Sequence, residues 1–353
     1  MIVNIFNRTE ILSTMPKRAI ITGISGQDGY FLSRLLIDKG YDVIGIVRRN
    51  SSTRMGTVDV LPEQYRKKVT VVNGDVTDSS FCDSVMAKYT PDEVYHLAAQ
   101  SFVAYSFHNP SSTYDINIGG TLNIFNAVKE HSPKSRVYFA ATSEMYGQPL
   151  TTPQNEETPL VPRSPYAISK LAGFWTAKVY REAYDLFISC GILFNHESEV
   201  RGPEFVTRKI AIGVGRIAKG DRSTIRLGNL DARKDWGFAG DYVEGMWQML
   251  QLPKPDDFVL STGETHTVRE FTEMAFRSAG IEVEWQGSGI NERGIDKKSG
   301  EVLVSVSKEF FRPLESDNYM GDSSKAGRIL GWKPKLTLEG LVERMVKHEM
   351  ESQ

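Results

Sequence analysis

Tyr166 and Lys170 have residue types and a spacing suited to proton transfer. Side chains four positions apart lie on one face of a helix, one turn from each other. A phenol with an ordinary pKa of ~10 is a poor base at neutral pH, but a neighbouring ammonium favours the phenolate. The pair therefore predicts a proton acceptor for a hydroxyl group that is being oxidised.

The sequence before this pair predicts the elements that position it. Ser164 suits a helix N-cap and Pro165 suits the first helical position, so Tyr166 falls in the first turn. The apolar run 137–141 predicts a strand that ends at Thr142. If strand geometry continues, Thr142 and Glu144 lie on the same side, and Glu144 becomes a second acid–base group near the tyrosine.

A glycine-rich turn near the start of the chain predicts a dinucleotide site. Gly23, Gly26 and Gly29 follow a β-branched run at 18–22 and precede helical apolar spacing at 30–38. Small residues between a strand and a helix let the backbone approach a pyrophosphate held at the helix N-terminus. A tight turn with a capping glycine is the alternative interpretation.

Two arginines predict which dinucleotide binds. A cofactor without a 2′-phosphate usually meets an acidic residue about 20 residues beyond the glycines, at the end of the second strand. This chain has Arg48 and Arg49 after the predicted strand 42–47. Two guanidinium groups suit a 2′-phosphate, so NADP is favoured over NAD. A solvated basic pair is the alternative.

Strand and helix patterns alternate along the first 200 residues. Further strands are predicted at 69–73, 92–97 and 187–193, which indicates an α/β fold with a Rossmann-like, doubly wound parallel sheet. After residue 200 the alternation is less regular. We predict an N-terminal extension at 1–16, a mainly NADP-binding domain at 17–200, and a smaller α/β substrate-binding lobe at 201–353, some of whose segments return to the first domain.

Composition excludes several classes of function. The 353 residues are 40% hydrophobic with a formal net charge of -2, which gives no reason to expect a nucleic acid or a membrane as partner. No apolar run approaches the roughly 18 residues of a membrane span, and residues 1–16 lack the pattern of a signal peptide. Cys82 and Cys190 have neither metal-ligand nor disulfide spacing, so we expect buried thiols in a reducing cytoplasm and no metal site.

With these motifs in hand, the chain resembles the extended short-chain dehydrogenase/reductase family, and within it the GDP-mannose 4,6-dehydratases. The resemblance covers about residues 17–350. Its specific motifs are TSEMYG at 142–147, PRSPYA at 162–167, LFNHES at 193–198, FVTRK at 205–209, LGNLDARKDWG at 227–237 and FRP at 311–313.

The resemblance implies roles for many residues. The implied catalytic set is Thr142, Glu144, Tyr166 and Lys170. The implied NADP-binding residues include Tyr166 and Lys170 together with Gly23, Ser25, Gly26, Gln27, Asp28, Gly29, Arg48, Arg49, Asn50, Ser51, Asp75, Val76, Leu97, Ala98, Ala99, Gln100, Ser101, His196 and Arg201. The implied GDP-sugar-binding residues are Ser101, Thr142, Ser143, Glu144, Asn195, Lys209, Leu227, Gly228, Asn229, Arg233, Arg312 and Glu315.

The resemblance also implies a reaction. GDP-mannose would be oxidised at C4, would lose water across C5 and C6, and would be reduced at C6, so that NADP is regenerated. Tyr166 would accept the C4 hydroxyl proton and Glu144 would act at C5 and C6. A homo-oligomer, a tetramer or a dimer, is implied as well, with the loop 48–55 at a subunit contact.

Four departures from the family pattern leave the exact sugar open. They are Asn50, Phe238, the Ser198-Glu199-Val200 turn and the Gln148-Pro149-Leu150 segment. A related GDP-sugar such as a GDP-heptose is therefore an alternative substrate. A nucleotide-sugar 4-epimerase or 4-ketoreductase is the alternative enzyme, and a redox-sensing binding protein that keeps the fold without catalysis is the alternative from another class.

Overall fold

A computed structural model describes residues 16–48, 55–310 and 319–352. The strands are β1 Arg18–Thr22, β2 Asp42–Val47, β3 Val69–Asn73, β4 Glu93–His96, β5 Arg136–Thr142, β6 Ile188–Leu193, β7 Asn195–Glu197, β8 Ile225–Leu227, β9 Arg233–Lys234, β10 Trp236–Phe238, β11 Asp257–Leu260, β12 His266–Thr267, β13 Val283–Gln286, β14 Arg293–Asp296 and β15 Val302–Val306. The helices are α1 Gln27–Asp38, α2 Glu63–Arg66, α3 Ser79–Tyr89, α4 Val103–His108, α5 Pro110–Tyr114, α6 Gly120–His131, α7 Pro165–Tyr184, α8 Val206–Ala218, α9 Ala239–Met249, α10 Val268–Ser278, α11 Ser324–Leu330 and α12 Leu338–Glu351.

Seven parallel strands form the main sheet in the order β3-β2-β1-β4-β5-β6-β11. Apolar residues dominate the inner strands, whose side chains are buried on both faces as is usual in parallel sheets, whereas the edge strand β3 is only partly buried. Strands β2 and β3 are added on one side of β1, and β4, β5 and β6 are added on the other side. This change of direction places a crevice between β1 and β4 at the carboxyl ends of the strands. The predicted doubly wound Rossmann-like sheet is confirmed.

Two helical layers cover the sheet. Helices α3, α6 and α7 pack on one face, where Phe125, Phe139 and Phe174 lie in one apolar cluster. Helices α1, α9 and α11 pack on the other face, around a cluster that includes Leu36 and Met246. The rigid sheet therefore holds the loops at its carboxyl edge from both sides.

A third apolar cluster lies in the C-terminal part of the chain. Ile210 of α8, Phe271 of α10 and Met345 of α12 pack against β8 and β15, which belong to the four-stranded sheet β13-β14-β15-β8. Residues after 200 also join the main sheet, because β11 pairs with β6 and α9 packs against α1. Two short pairs, β7 with β10 and β9 with β12, lie between these parts.

Several element boundaries differ from the predicted ones. Strand β4 is shorter than the predicted 92–97 and β5 is longer than the predicted 137–141. Strand β5 ends at Thr142, and a 3-10 turn, Ser143–Tyr146, follows it. None of the helices in the described ranges has the length and apolar character needed to cross a membrane.

Candidate active site

A cavity of about 560 Å³ lies at the carboxyl ends of the strands, where the strand order reverses. It is lined by many of the residues that the sequence singled out. These are Gly23, Ser25, Gly26, Gln27, Asp28, Gly29, Arg48, Asp75, Val76, Leu97, Ala98, Ala99, Gln100, Ser101, Thr142, Glu144, Tyr166, Lys170, Asn195, His196 and Arg201.

The glycine turn is shaped by close backbone approaches. Gly23 has a φ of +73°, and a Cβ there would lie 2.8 Å from the amide nitrogen of Ala98. A Cβ on Gly29 would lie 2.3 Å from the carbonyl oxygen of Ile24. Gly26 is the N-cap of α1 and has no side chain that could accept a hydrogen bond from the first-turn N–H groups, an arrangement suited to anion binding.

His96 holds the loop 97–101 against the sheet. Thr121 donates its hydroxyl to the carbonyl of Asn117 at 2.6 Å, so its oxygen accepts from His96 Nε2 at 3.0 Å. His96 Nδ1 therefore accepts from the Thr22 hydroxyl at 2.8 Å, and Thr22 Oγ1 accepts the N–H of Ala98 at 3.1 Å. Burial, with a smaller effect of Lys170, lowers the His96 pKa to about 3, so the ring is neutral.

Asn117 connects the same loop to the helix that carries Tyr166. It lies in a π-helical turn, Asp115–Gly119, between α5 and α6, a feature common at functional sites. Its amide exchanges two hydrogen bonds with the backbone of Gln100, at 2.8 and 3.0 Å, and donates to Ser169 Oγ at 2.9 Å. Ser169 in turn donates to the carbonyl of Tyr166 at 2.7 Å.

Tyr166 and Lys170 are both buried on α7. Ser164 caps this helix by accepting from the N–H of Ala167 at 3.0 Å, as the sequence predicts. Burial raises the Tyr166 pKa to about 12, against the hydrogen bond from Thr142, which lowers it. Burial also lowers the Lys170 pKa to about 8.

Lys170 is not among the main causes of this shift in the Tyr166 pKa, so its predicted effect on Tyr166 stays a prediction. The Lys170 ammonium donates to the carbonyl of Ala140 at 2.9 Å, and the groups that lower the Tyr166 pKa are Thr142 and Arg201. Desolvation of the phenolate outweighs both of them.

Thr142 and Glu144 reach the cavity by a different route from the one predicted. Strand geometry does not continue past Thr142, so the argument from strand alternation is wrong. The backbone turns instead, and Thr142 Oγ1 accepts the N–H of Glu144 at 3.3 Å. Both side chains line the cavity, and the Glu144 charge is close enough to raise the Tyr166 pKa.

Asp28 and His196 form a charged pair on the cavity wall. His196 Nδ1 lies 2.8 Å from the carbonyl of Phe194 and Nε2 lies 3.0 Å from both carboxylate oxygens of Asp28, so both ring nitrogens donate. Burial opposes both charges, but their mutual attraction raises the His196 pKa and, with help from Arg201, lowers the Asp28 pKa. The His196 ring stacks on Tyr242 at 4.7 Å.

Comparison with known proteins agrees with this geometry. The profile of the family described as GDP-mannose 4,6 dehydratase matches residues 20–345. The chain belongs to this family. GDP-mannose 4,6-dehydratase sdnI of Sordaria araneosa is 47% identical over 341 residues, which are 96% of this chain and 62% of that protein.

A second relative is similar over more of its own length. GDP-mannose 4,6 dehydratase of Drosophila melanogaster is 46% identical over 341 residues, which are 95% of this chain and 86% of that protein. The solved UDP-glucose 4-epimerase of Bifidobacterium longum has a TM-score of 0.80 at 22% identity and covers 94% of this chain and 98% of its own. At that identity the likeness shows a shared fold.

Other residues implied by family resemblance lie away from the cavity. Ser143 is buried beneath the turn and does not line the cavity. Lys209 and Gly228 meet at Phe310, whose ring centroid is 3.2 Å from Lys209 Nζ, and the carbonyl of Leu227 accepts the N–H of Ser307. The side chains of Asn229 and Arg233 bond to the N–H of Asp231 and to Thr265. Arg49, Asn50, Ser51, Arg312 and Glu315 fall outside the described residues.

The cavity also has wall residues that the sequence did not reveal. They are mostly apolar or small, and no site role was assigned to them, although Leu193, Phe194 and Phe205 fall within the motifs quoted above: Ile46, Gly74, Val103, Tyr105, Ser112, Ile116, Ala140, Ala141, Leu193, Phe194 and Phe205. Both cysteines are buried free thiols, as predicted. Within the described ranges no group of three or more His, Cys, Asp or Glu side chains could hold a metal ion.

Proposed function

We propose that this chain is an NADP-dependent GDP-mannose 4,6-dehydratase, a hydro-lyase that converts GDP-D-mannose to GDP-4-keto-6-deoxy-D-mannose and water. Membership of the family supports the reaction. The observation that carries the proposal is the convergence of Thr142, Glu144, Tyr166 and Lys170 at a cavity that also contains the glycine turn.

The cavity wall fits a dinucleotide. The glycine turn has no room for a Cβ at Gly23 or Gly29, which suits close approach of a pyrophosphate. Arg48 is exposed at the rim and suits a 2′-phosphate, while Lys170, His196 and Arg201 face the same cavity. Bound NADP supplies the hydride acceptor for C4 and, once reduced, the hydride donor for C6.

The chain's own residues carry the proton transfers. Tyr166 accepts the proton of the C4 hydroxyl, and Thr142, which lines the same cavity and lowers the Tyr166 pKa, orients that hydroxyl. The resulting ketone acidifies C5–H, and Glu144 removes that proton as general base. Glu144 then returns a proton to the C6 hydroxyl, which leaves as water and gives a C5–C6 double bond. When hydride is added at C6, C5 takes up a proton that has exchanged with solvent, which gives the 4-keto-6-deoxy product. A 4-epimerase or 4-ketoreductase does not need Glu144.

The second lobe would hold the nucleotide part of the substrate. Asn195 reaches the cavity, and Lys209 and Gly228 contact Phe310 next to the C-terminal sheet, where Leu227 accepts the N–H of Ser307. We assign residues 17–200 mainly to cofactor binding and 201–353 mainly to the GDP-sugar, with 239–260 and 319–332 packed on the main sheet. The buried free thiols suit a reducing compartment such as the cytoplasm.

The test is direct. Purified protein incubated with GDP-mannose and a catalytic amount of NADP is expected to give a nucleotide sugar lighter by one water, with no net change in NADPH. A ketoreductase consumes NADPH stoichiometrically, and an epimerase leaves the mass unchanged. A GDP-heptose offered in competition measures sugar selectivity. Unchanged substrate across several nucleotide hexoses contradicts the proposal.

A homo-oligomer is the expected assembly, and one helical face suits the contact. Ile168, Trp175 and Val179 lie on one face of α7, and with Leu122 of α6 they leave large apolar side chains between 41% and 54% exposed. A second copy can cover this face with the same residues, because a two-fold interface is self-complementary.

Sedimentation of Trp175→Glu tests the assembly. The variant is expected to shift towards the monomer because it places a charge in a desolvated contact. Leu150→Glu, at an 80% exposed loop residue, is the matched control and should sediment as the native protein. A monomeric native protein contradicts this part of the proposal.

A further inference from the structure

A glycine ends the turn that carries Glu144. The 3-10 turn Ser143–Tyr146 ends at Gly147, whose N–H donates to the carbonyl of Glu144 at 3.2 Å. Gly147 has a φ of +62° and a ψ of −104°, and a Cβ there would lie 1.6 Å from the carbonyl oxygen of Val161. A glycine in such a conformation has more freedom to rotate its peptide than any other residue.

Tyr319 fixes that peptide. Its hydroxyl donates to the carbonyl of Gly147 at 2.7 Å, although the two residues are 172 positions apart in sequence. Tyr319 is only 4% exposed, so the hydrogen bond lies where water competes little. The carbonyl direction of Gly147, and with it the end of the turn, is therefore set by a residue of the C-terminal segment.

The two residues that follow Tyr319 are themselves anchored by hydrogen bonds. The N–H of Gln154 donates to the carbonyl of Met320 at 2.8 Å, and the N–H of Met320 donates to Gln154 Oε1 at 3.1 Å. The N–H of Gly321 donates to Asp235, a buried carboxylate that also accepts from Thr262. Tyr319 thus transmits the position of the C-terminal segment to the catalytic turn.

We propose that Tyr319 is a positioning residue for Glu144, acting on the elimination and not on the oxidation at C4. This inference rests on the function proposed above. Tyr166 is held separately, on a helix capped by Ser164 and buttressed through Ser169. Loss of the Tyr319 hydroxyl leaves that helix in place and loosens only the turn that carries Glu144.

The test is Tyr319→Phe, which keeps the ring and removes the hydrogen bond. The rate of C5 proton removal is expected to fall by on the order of tenfold, since a lost buried hydrogen bond is comparable to that factor. Three measurements distinguish positioning of Glu144 from a general structural defect. The kcat falls while the KM for GDP-mannose is unchanged. The kinetic isotope effect rises for C5-deuterated substrate and does not rise for C4-deuterated substrate.

Tyr138→Phe is the matched control. Tyr138 is fully buried, and its hydroxyl has no hydrogen-bond partner among the described residues, so its removal is expected to leave kcat and both isotope effects unchanged. The NADP affinity of Tyr319→Phe should match the native protein, and its thermal stability should fall by no more than the loss of one buried hydrogen bond explains. If both isotope effects in Tyr319→Phe equal those of the native protein, the positioning role of Tyr319 is overturned and the proposed function stands. If the native protein does not dehydrate GDP-mannose, the proposed function is overturned.

Discussion

The two edges of the main sheet both bury charged side chains, but they partner them differently. At the amino edge, Glu93 is 1% exposed and accepts hydrogen bonds from Tyr41 at 2.9 Å, Tyr95 at 2.7 Å and Gln251 at 3.1 Å. Lys17 adds an ion pair at 3.4 Å. Every oxygen of this carboxylate is satisfied.

At the carboxyl edge, Lys170 and Tyr166 have fewer partners than Glu93, although Asp28 and His196 are paired with each other. Within the described ranges, Lys170 Nζ has one hydrogen-bond acceptor, the carbonyl of Ala140, and its pKa falls to about 8 because of burial. Tyr166 has its pKa raised to about 12 for the same reason. Burial shifts the pKa of an ionisable group when the hydrogen bonds and charges of its neighbours do not fully replace the solvation that it loses.

The contrast teaches how one sheet serves two purposes. A fully paired carboxylate adds stability and has no capacity left for a substrate. Groups with incomplete pairing cost stability and keep that capacity, which is why perturbed groups gather at functional sites.

Glu144→Gln gives the largest expected effect at the carboxyl edge. The amide cannot remove the C5 proton, so dehydration and solvent-deuterium uptake at C5 should fall by about 10²–10⁴-fold. Mass spectrometry of the product measures both, and the unfolding free energy should stay at the native value. Dehydration at the native rate would show that Glu144 is not the acid–base group.

Lys170→Met tests the cost of the buried ammonium. The unfolded chain keeps this proton up to pH 10.5, whereas the folded protein releases it near pH 8. The unfolded state binds more protons between these values, so the native protein gains stability as the pH rises through this window. The shift corresponds to about 3 kcal/mol.

Chemical denaturation from about pH 7 to pH 10 measures this effect. In Lys170→Met the gain between pH 8 and 10.5 should be absent, and the variant should be more stable than the native protein at neutral pH but inactive. Parallel pH profiles for the two proteins would contradict the assignment of the shift to Lys170.

Glu93→Gln makes the same chemical change as Glu144→Gln at the opposite edge. One carboxylate oxygen, which accepts hydrogen bonds, becomes an NH2 group, which donates, while the neighbours of Glu93 are themselves donors: two phenols and an amide. The unfolding free energy should therefore fall by about 1–2 kcal/mol. The rate of dehydration should not change, because Glu93 lies at the other end of the strands. If Glu93→Gln lost activity but not stability, the amino edge would not have the purely structural role that separates it from the carboxyl edge.

The sequence by itself determined six of the seven strands of the main sheet, all but β11, and the position of the helix that carries Tyr166 and Lys170. Apolar runs marked the strands, and Ser164 with Pro165 marked the start of α7, because capping and periodicity are local properties. The glycine spacing and the tyrosine-lysine pair likewise pointed to the cavity that the structure contains. The roles assigned to its individual residues stay predictions.

Only the tertiary structure decided how the groups in the cavity interact. Burial raises the Tyr166 pKa against the expectation from Lys170, and the turn after Thr142 replaces the expected strand alternation. The pairing of Asp28 with His196, and of Tyr319 with Gly147, joins residues that are 168 and 172 positions apart. Desolvation and long-range hydrogen bonds depend on the packed surroundings of a group, and no local pattern encodes them.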